Sequence, residues 1–106
     1  MLTQRTAIEK VKRFAREVQN TGLHLRKVIL YGSYARNKQH QWSDIDIALV
    51  ADEFTGIGFN DADYFVSINN KKQFIIIEAR TFPTSYFRKG DPFIDEIKRT
   101  GIEIKI

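Results

Sequence analysis

Cysteine is absent from this chain of 106 residues, and histidine is limited to His24 and His40. A disulfide framework and a thiolate zinc site are therefore excluded, and two histidines are too few for a histidine-rich metal centre. Any metal here would be held by oxygen. Long apolar runs are missing too: no stretch approaches the ~20 residues that cross a bilayer. The opening MLTQRTAIEK carries neither a signal-peptide core nor a lipidation motif. No membrane association is expected, and the cytoplasm is the default address. No internal repeat or low-complexity segment is found.

What is present is ordinary for a folded domain. Apolar residues make up 42% and charged residues 28%, far from the profile of a disordered chain. The length suits one compact domain over residues 1–106. The net charge of +4 is uneven. Residues 1–42 hold nine Lys/Arg against Glu9 and Glu17, whereas residues 43–106 hold eight against eleven acids. The basic half attracts something anionic, and phosphates, nucleic acid or an acidic partner all qualify.

Periodicity places the elements. In TAIEKVKRFAREVQNTG the apolar positions Ile8, Val11, Phe14, Ala15 and Val18 recur at helical spacing. Thr6 and Glu9 have capping-box spacing, and Gly22 is the stop. Lys10, Lys12, Arg13 and Arg16 read as the solvated outer face of that helix. HLRKVILYG and DIDIALV read as strands, with a short helix opening at Ser33–Asn37 between them. Residues 52–72 read as a loop with a short helix. QFIIIEARTF, the most apolar stretch, is expected to be a central strand covered on both faces, with Glu78 near its end. In the tail, Asp91 is the predicted N-cap, Pro92 the first helical position and Gly101 the stop. The alternating IEIKI suggests an edge strand. The fold class that follows is α/β: one mixed sheet with helices packed mainly on one face.

One stretch carries chemistry. In GSYARNKQHQWSDID an extended strand would put Asp44 and Asp46 on one face and Ile45, Ile47 and Leu49 on the other. Two carboxylates this close repel unless a cation lies between them or both are hydrated. Beside a phosphate they form a ligand set for Mg²⁺, or for Mn²⁺. Gly32 and Ser33 follow a strand, where backbone N–H groups and a hydroxyl can approach a phosphate. Arg36 and Lys38 lie between the two clusters as further phosphate contacts. Trp42 and Tyr34 flank the site; such aromatic residues more often fill core than stack on a base. His40 is expected in solvent.

The spacing of Gly32-Ser33, ten residues, then Asp44-x-Asp46 resembles the signature of the minimal nucleotidyltransferases (MNT) of the DNA polymerase β superfamily. GSYAR and SDIDIALV are similar to its extended form. The resemblance implies that Ser33 and its backbone bind the triphosphate of ATP or another NTP, and that Asp44 and Asp46 hold the divalent metal. It also implies a third carboxylate on a later strand, as metal ligand and base. Glu78 is the acid on the apolar strand, although the family more often has aspartate there; the alternative is a solvated strand-end residue or a partner for Arg80. Asn37 stands where relatives carry glycine, which suggests a less tightly turned loop.

Stand-alone MNT proteins typically pair with a small helical HEPN ribonuclease as its antitoxin, in some cases by transferring AMP to a toxin tyrosine. The reading is therefore an Mg²⁺-dependent nucleotidyltransferase acting on a HEPN toxin partner, as a homodimer or within a hetero-oligomer. The alternative is a catalytically weak or inactive antitoxin that neutralises the toxin by binding. Nucleic-acid binding through the basic half ranks last, because no motif for it is present.

Overall fold

The computed structural model describes residues 2–106, and its elements follow from the local chemistry of the chain. Helix α1 spans Gln4–Gln19 and buries Ala7, Val11, Phe14, Ala15 and Val18. It starts one turn earlier than Thr6 and Glu9 suggest. Thr3 is the N-cap: its hydroxyl accepts from the Thr6 amide at 3.1 Å, and the Thr6 hydroxyl accepts from the Thr3 amide at 3.0 Å. A reciprocal threonine pair thus satisfies the donors that a Glu at the third helical position would otherwise meet.

Strands β1 (Leu25–Tyr31) and β2 (Ile45–Ala51) pair antiparallel, β2 pairs in parallel with β3 (Ile77–Pro83), and the short β4 (Ile102–Glu103) pairs antiparallel with β1. The order is β3-β2-β1-β4. Between β2 and β3 lie α2 (Gly58–Asp61), a 3₁₀ turn (Ala62–Tyr64) and α3 (Val66–Asn69). Helices α4 (Thr84–Lys89) and α5 (Pro92–Thr100) come between β3 and β4.

The inner strands put alternate residues on two cores. Val28, Leu30, Ile45, Ile47, Leu49 and Ala51 join α1, Phe65, Ile68 and Phe74 in the larger one. Ile29, Ala48 and Val50 meet Phe82, Phe87, Ile94 and Ile97 of β3, α4 and α5 on the opposite face. The bulk of the core lies with α1, as expected, but the second face carries its own helical layer.

Two sequence expectations are corrected. The segment Ser33–Asn37 is a closed turn, not a helix. Its backbone bonds, Arg36 N to Gly32 O, Asn37 N to Tyr34 O and Lys38 N to Ser33 O, have three different spans, so no helical ladder forms. The stretch 73–82 is not one central strand: residues 72–76 form turns, and β3 begins at Ile77 on the edge of the sheet. The Asn69 side-chain amide donates to the carbonyls of Phe74 and Ile77 and holds the bend. The apolar run is divided: Phe74 and Ile77 turn inward and Ile75 is exposed. Glu78 therefore stands near the start of its strand. The central strand buried along nearly its whole length is β2, with Asp46 its one part-buried residue.

Candidate active site

The site begins where β1 ends. Gly32 has φ +76°, a conformation that costs an L side chain strain. A Cβ there would also fall inside van der Waals contact of Asp46 Oδ2. The glycine therefore allows the turn and makes room for the first strand residue of β2 that carries charge. Tyr31 lies directly opposite Asp46 in the antiparallel register, so the Gly-Ser turn and the aspartate pair are joined across neighbouring strands.

The turn is tighter than the missing glycine at position 37 suggests. Asn37 itself takes up φ +55°, a region asparagine tolerates better than most side chains. The Lys38 amide closes the turn onto Ser33 O at 2.9 Å. From α1, the Gln4 side-chain amide donates to the carbonyls of Tyr34 and Ala35 at 2.9 and 3.1 Å. Sequence reasoning missed this anchor, because a lone glutamine at a helix start gives no sign of a partner thirty residues away.

Asp46 shares a strand face with Ala48 and Val50, so it points to the α4/α5 side. In the parallel register it lies beside Glu78. Burial pushes its carboxyl above the ordinary carboxylate range; the charges of Glu78 and Asp44 push the same way, and Arg80 opposes them. Asp44 lies just before β2 and is exposed. Among the described residues no hydrogen bond or ion pair reaches the carboxylates of Asp44, Asp46 or Glu78, and no three acidic or histidine side chains are drawn together as a bound ion would draw them. Asp46 is half-buried, while Glu78 like Asp44 is exposed; the set is nonetheless all hard oxygen and mutually repulsive, which is the donor chemistry a divalent cation fits.

A cleft of about 570 Å³ opens at this end of the sheet. Asp46 and Glu78 line it together with Tyr31, Arg80 and Phe93. Arg80 is its one cationic lining residue; the guanidinium stands 5.0 Å over the Phe93 ring, and Phe93 packs edge-on against Tyr31. Burial, followed by the charge of Asp46, raises the Tyr31 hydroxyl above its usual value. Gly32, Ser33, Arg36, Lys38 and Asp44 do not line this cleft, and Arg36 and Lys38 are exposed. Tyr34 is core and His40 is exposed, as expected, whereas Trp42 is exposed instead of filling core.

The far wall of the cleft is fixed by Asp61, fully buried and unnoticed in the sequence. Its oxygens accept from Thr55 N at 2.8 Å, Thr55 Oγ1 at 3.0 Å, Gly56 N at 2.9 Å and Thr81 Oγ1 at 2.6 Å. Burial alone would raise this carboxyl, but the four donors outweigh it and hold it below the usual range.

The mixed sheet thus brings a Gly-Ser turn against an Asp-x-Asp strand start, with Glu78 in register beside Asp46. Residues 8–105 match the profile of the nucleotidyltransferase domain family, and the chain belongs to that family. A crystal structure of a proposed nucleotidyltransferase from Sulfolobus solfataricus is similar at 23% identity and a TM-score of 0.64, over 94% of this chain and 80% of that one. That likeness bears on the fold. No curated protein matches the chain.

Proposed function

We propose that the chain is a minimal nucleotidyltransferase that moves AMP from ATP onto a tyrosine hydroxyl of a HEPN toxin, and so acts as its antitoxin. The observation that carries the enzymatic part is the register of Asp46 beside Glu78, with Asp46 packed on Gly32. The open cleft beside Asp46 and Glu78 supplies the argument for an acceptor carried by another protein.

In this reading Gly32 and Ser33 hold the triphosphate through backbone N–H groups and the serine hydroxyl, with Arg36 and Lys38 on the same turn neutralising its charge. Asp44, Asp46 and Glu78 would hold Mg²⁺ or Mn²⁺, which when bound supplies charge neutralisation at the α-phosphate. Glu78 accepts the proton of the acceptor hydroxyl as its oxygen forms the new bond to the α-phosphorus. The bond to the β-phosphate oxygen breaks, and pyrophosphate leaves over the Gly-Ser turn. Tyr31 and Phe93 give the cleft an apolar wall that limits water.

The test is transfer of label from α-phosphate-labelled ATP, with Mg²⁺, onto proteins of a host lysate and onto a purified HEPN protein. A labelled band that Asp46→Asn abolishes is the expected result. A second reading, an antitoxin that only binds, is favoured by the spread of the three carboxylates. Divalent-dependent nucleotide binding with no labelled product would select it.

A further inference from the structure

The face of the sheet that carries Asp46 holds a second recess. Helices α4 and α5 cover Ala48, Val50 and Phe82 in the middle of this face and leave its two ends open. The second recess lies where β1 starts and β2 finishes, roughly 13–17 Å along the strands from Asp46 at the usual rise per residue. Its volume is about 580 Å³, with Val50 and Phe87 as floor and Arg26, Lys27, Arg88 and Lys98 as walls. A smaller space of about 240 Å³ shares Lys27, Phe87 and Lys98 with it and extends the apolar floor to Ile29 and Ile97.

Charge in this recess is not balanced. Asp52 is the acid of the larger space and is taken by Arg26 at 2.7 Å, while Lys27 reaches Glu103 at 3.4 Å. Among the described residues neither Arg88 nor Lys98 has an acidic partner within ion-pair distance; Lys98 Nζ stands 4.9 Å over the Phe87 ring. Thr84 lies in the wall near Asp52 and helps hold that carboxyl below its usual range after Arg26 has done so. Its hydroxyl nevertheless makes no hydrogen bond of normal geometry and is buried unsatisfied. A rotation about χ1 would offer it to a ligand oxygen, beside the hydroxyl of Ser85. The four cations are exposed and hydrated, so the recess offers an anion positive charge without a burial cost, and the Thr84 hydroxyl is the buried group such an anion's oxygens would satisfy.

We propose that this recess is a second binding site, for an organic phosphate of nucleoside-monophosphate size. The phosphate lies among Arg26, Arg88 and Lys98, whose guanidinium forks and ammonium suit a dianion. The apolar or planar body rests on Val50 and Phe87. Inorganic phosphate would fill only a part of the space of about 580 Å³, and an uncharged nucleoside would leave the cations without an anion. Nothing in the site depends on the carboxylate cleft at the other end of the sheet.

The experiment is a titration of isotope-labelled protein with AMP, adenosine and inorganic phosphate in EDTA at low salt, read by backbone amide shifts. AMP should move the amides of Arg26, Lys27, Ser85, Arg88 and Lys98 saturably. It should bind at least about tenfold more tightly than adenosine or phosphate, since each lost charged contact is worth a factor of this order. The variant Arg88→Gln/Lys98→Gln, altered only at exposed positions, should lose at least tenfold in affinity, and Asp46→Asn should lose none. Shifts confined to residues 31–46, adenosine binding as well as AMP, unchanged affinity in the double variant, or no saturable response would each overturn the proposal.

Discussion

At the scale of single residues the site rests on close approaches that a small change would break. Gly32→Ala introduces both a strained φ and a Cβ against Asp46 Oδ2. The carboxylate can swing away, so the stability cost should stay near 1–2 kcal/mol. If the proposed reaction runs on Asp46, transfer activity should fall far more, by a factor of ~10² or greater, because that carboxylate is the displaced group. Comparing urea midpoints with initial rates separates the two effects. Glu78→Gln keeps the shape of the cleft and removes a charge that pushes Asp46 upward. If Glu78 is the base, kcat should drop by ~10²–10⁴ while ATP affinity changes little. Equal losses in both would make it a binding group instead.

Asp61 is the corresponding residue for stability. Because its folded pKa lies below its unfolded value, its contribution is present above the ordinary carboxylate range of ~3.9. That contribution is lost as pH falls through the folded value. Asp61→Asn leaves Gly56 N–H and the Thr81 hydroxyl facing an amide donor. It should cost about 3 kcal/mol at neutral pH, and the difference from wild type should shrink on acidification. Denaturant midpoints of both proteins from pH 7 downward would show this; a gap that widens in acid would be inconsistent with it.

At the scale of elements, helix α5 shows how much can be read in advance. Asp91 caps it by accepting from Ile94 N at 2.7 Å, Pro92 takes the first position, and Gly101 ends it, all as the local chemistry of the sequence predicts. What local chemistry could not supply is the reason for Gly101. A Cβ there would meet Ile97 O at 2.5 Å, Ile29 Cγ2 at 2.6 Å and Leu30 O at 3.0 Å. Two of these atoms are backbone, so Gly101→Ala should cost more than 2 kcal/mol although its φ is ordinary. A thermal melt would show the loss.

The same contrast runs through the site. The two motif halves were legible because charge at the dry start of a strand is expensive and because their spacing resembles a known signature. Glu78 as the acid beside Asp46 entered only through that resemblance, and the Gln4 anchor and the Asp61 network were not legible, since each depends on which segments become neighbours. The apolar run at 73–82 misled for a related reason: hydrophobicity indicates burial but not whether a residue is buried in a strand or a turn. Phe74 is in fact buried edge-on against Phe14, before the strand begins.

At the scale of the whole molecule, β2 holds the rest in place. It is buried along nearly its whole length and pairs on both sides, whereas β4 is two residues long. Amide hydrogens of β1 and β2 should exchange slowest, near the rate set by global unfolding, and those of residues 52–76 and β4 much sooner. Exchange followed by mass spectrometry tests the order.

The parallel pairing of β2 with β3 also bears on the order of events during folding. The β1–β2 hairpin closes over a short connection, but β3 can dock only after the whole segment from Asp52 to Ile76 has looped back. Closing the longer segment has the larger entropic barrier and raises the contact order. A refolding chain, or one still leaving the ribosome, should therefore unite its glycine turn with Asp44 and Asp46 first and receive Glu78 last. Until then it has two of the three carboxylates that the proposed reaction needs, so transfer activity in that reading would report on completed folding.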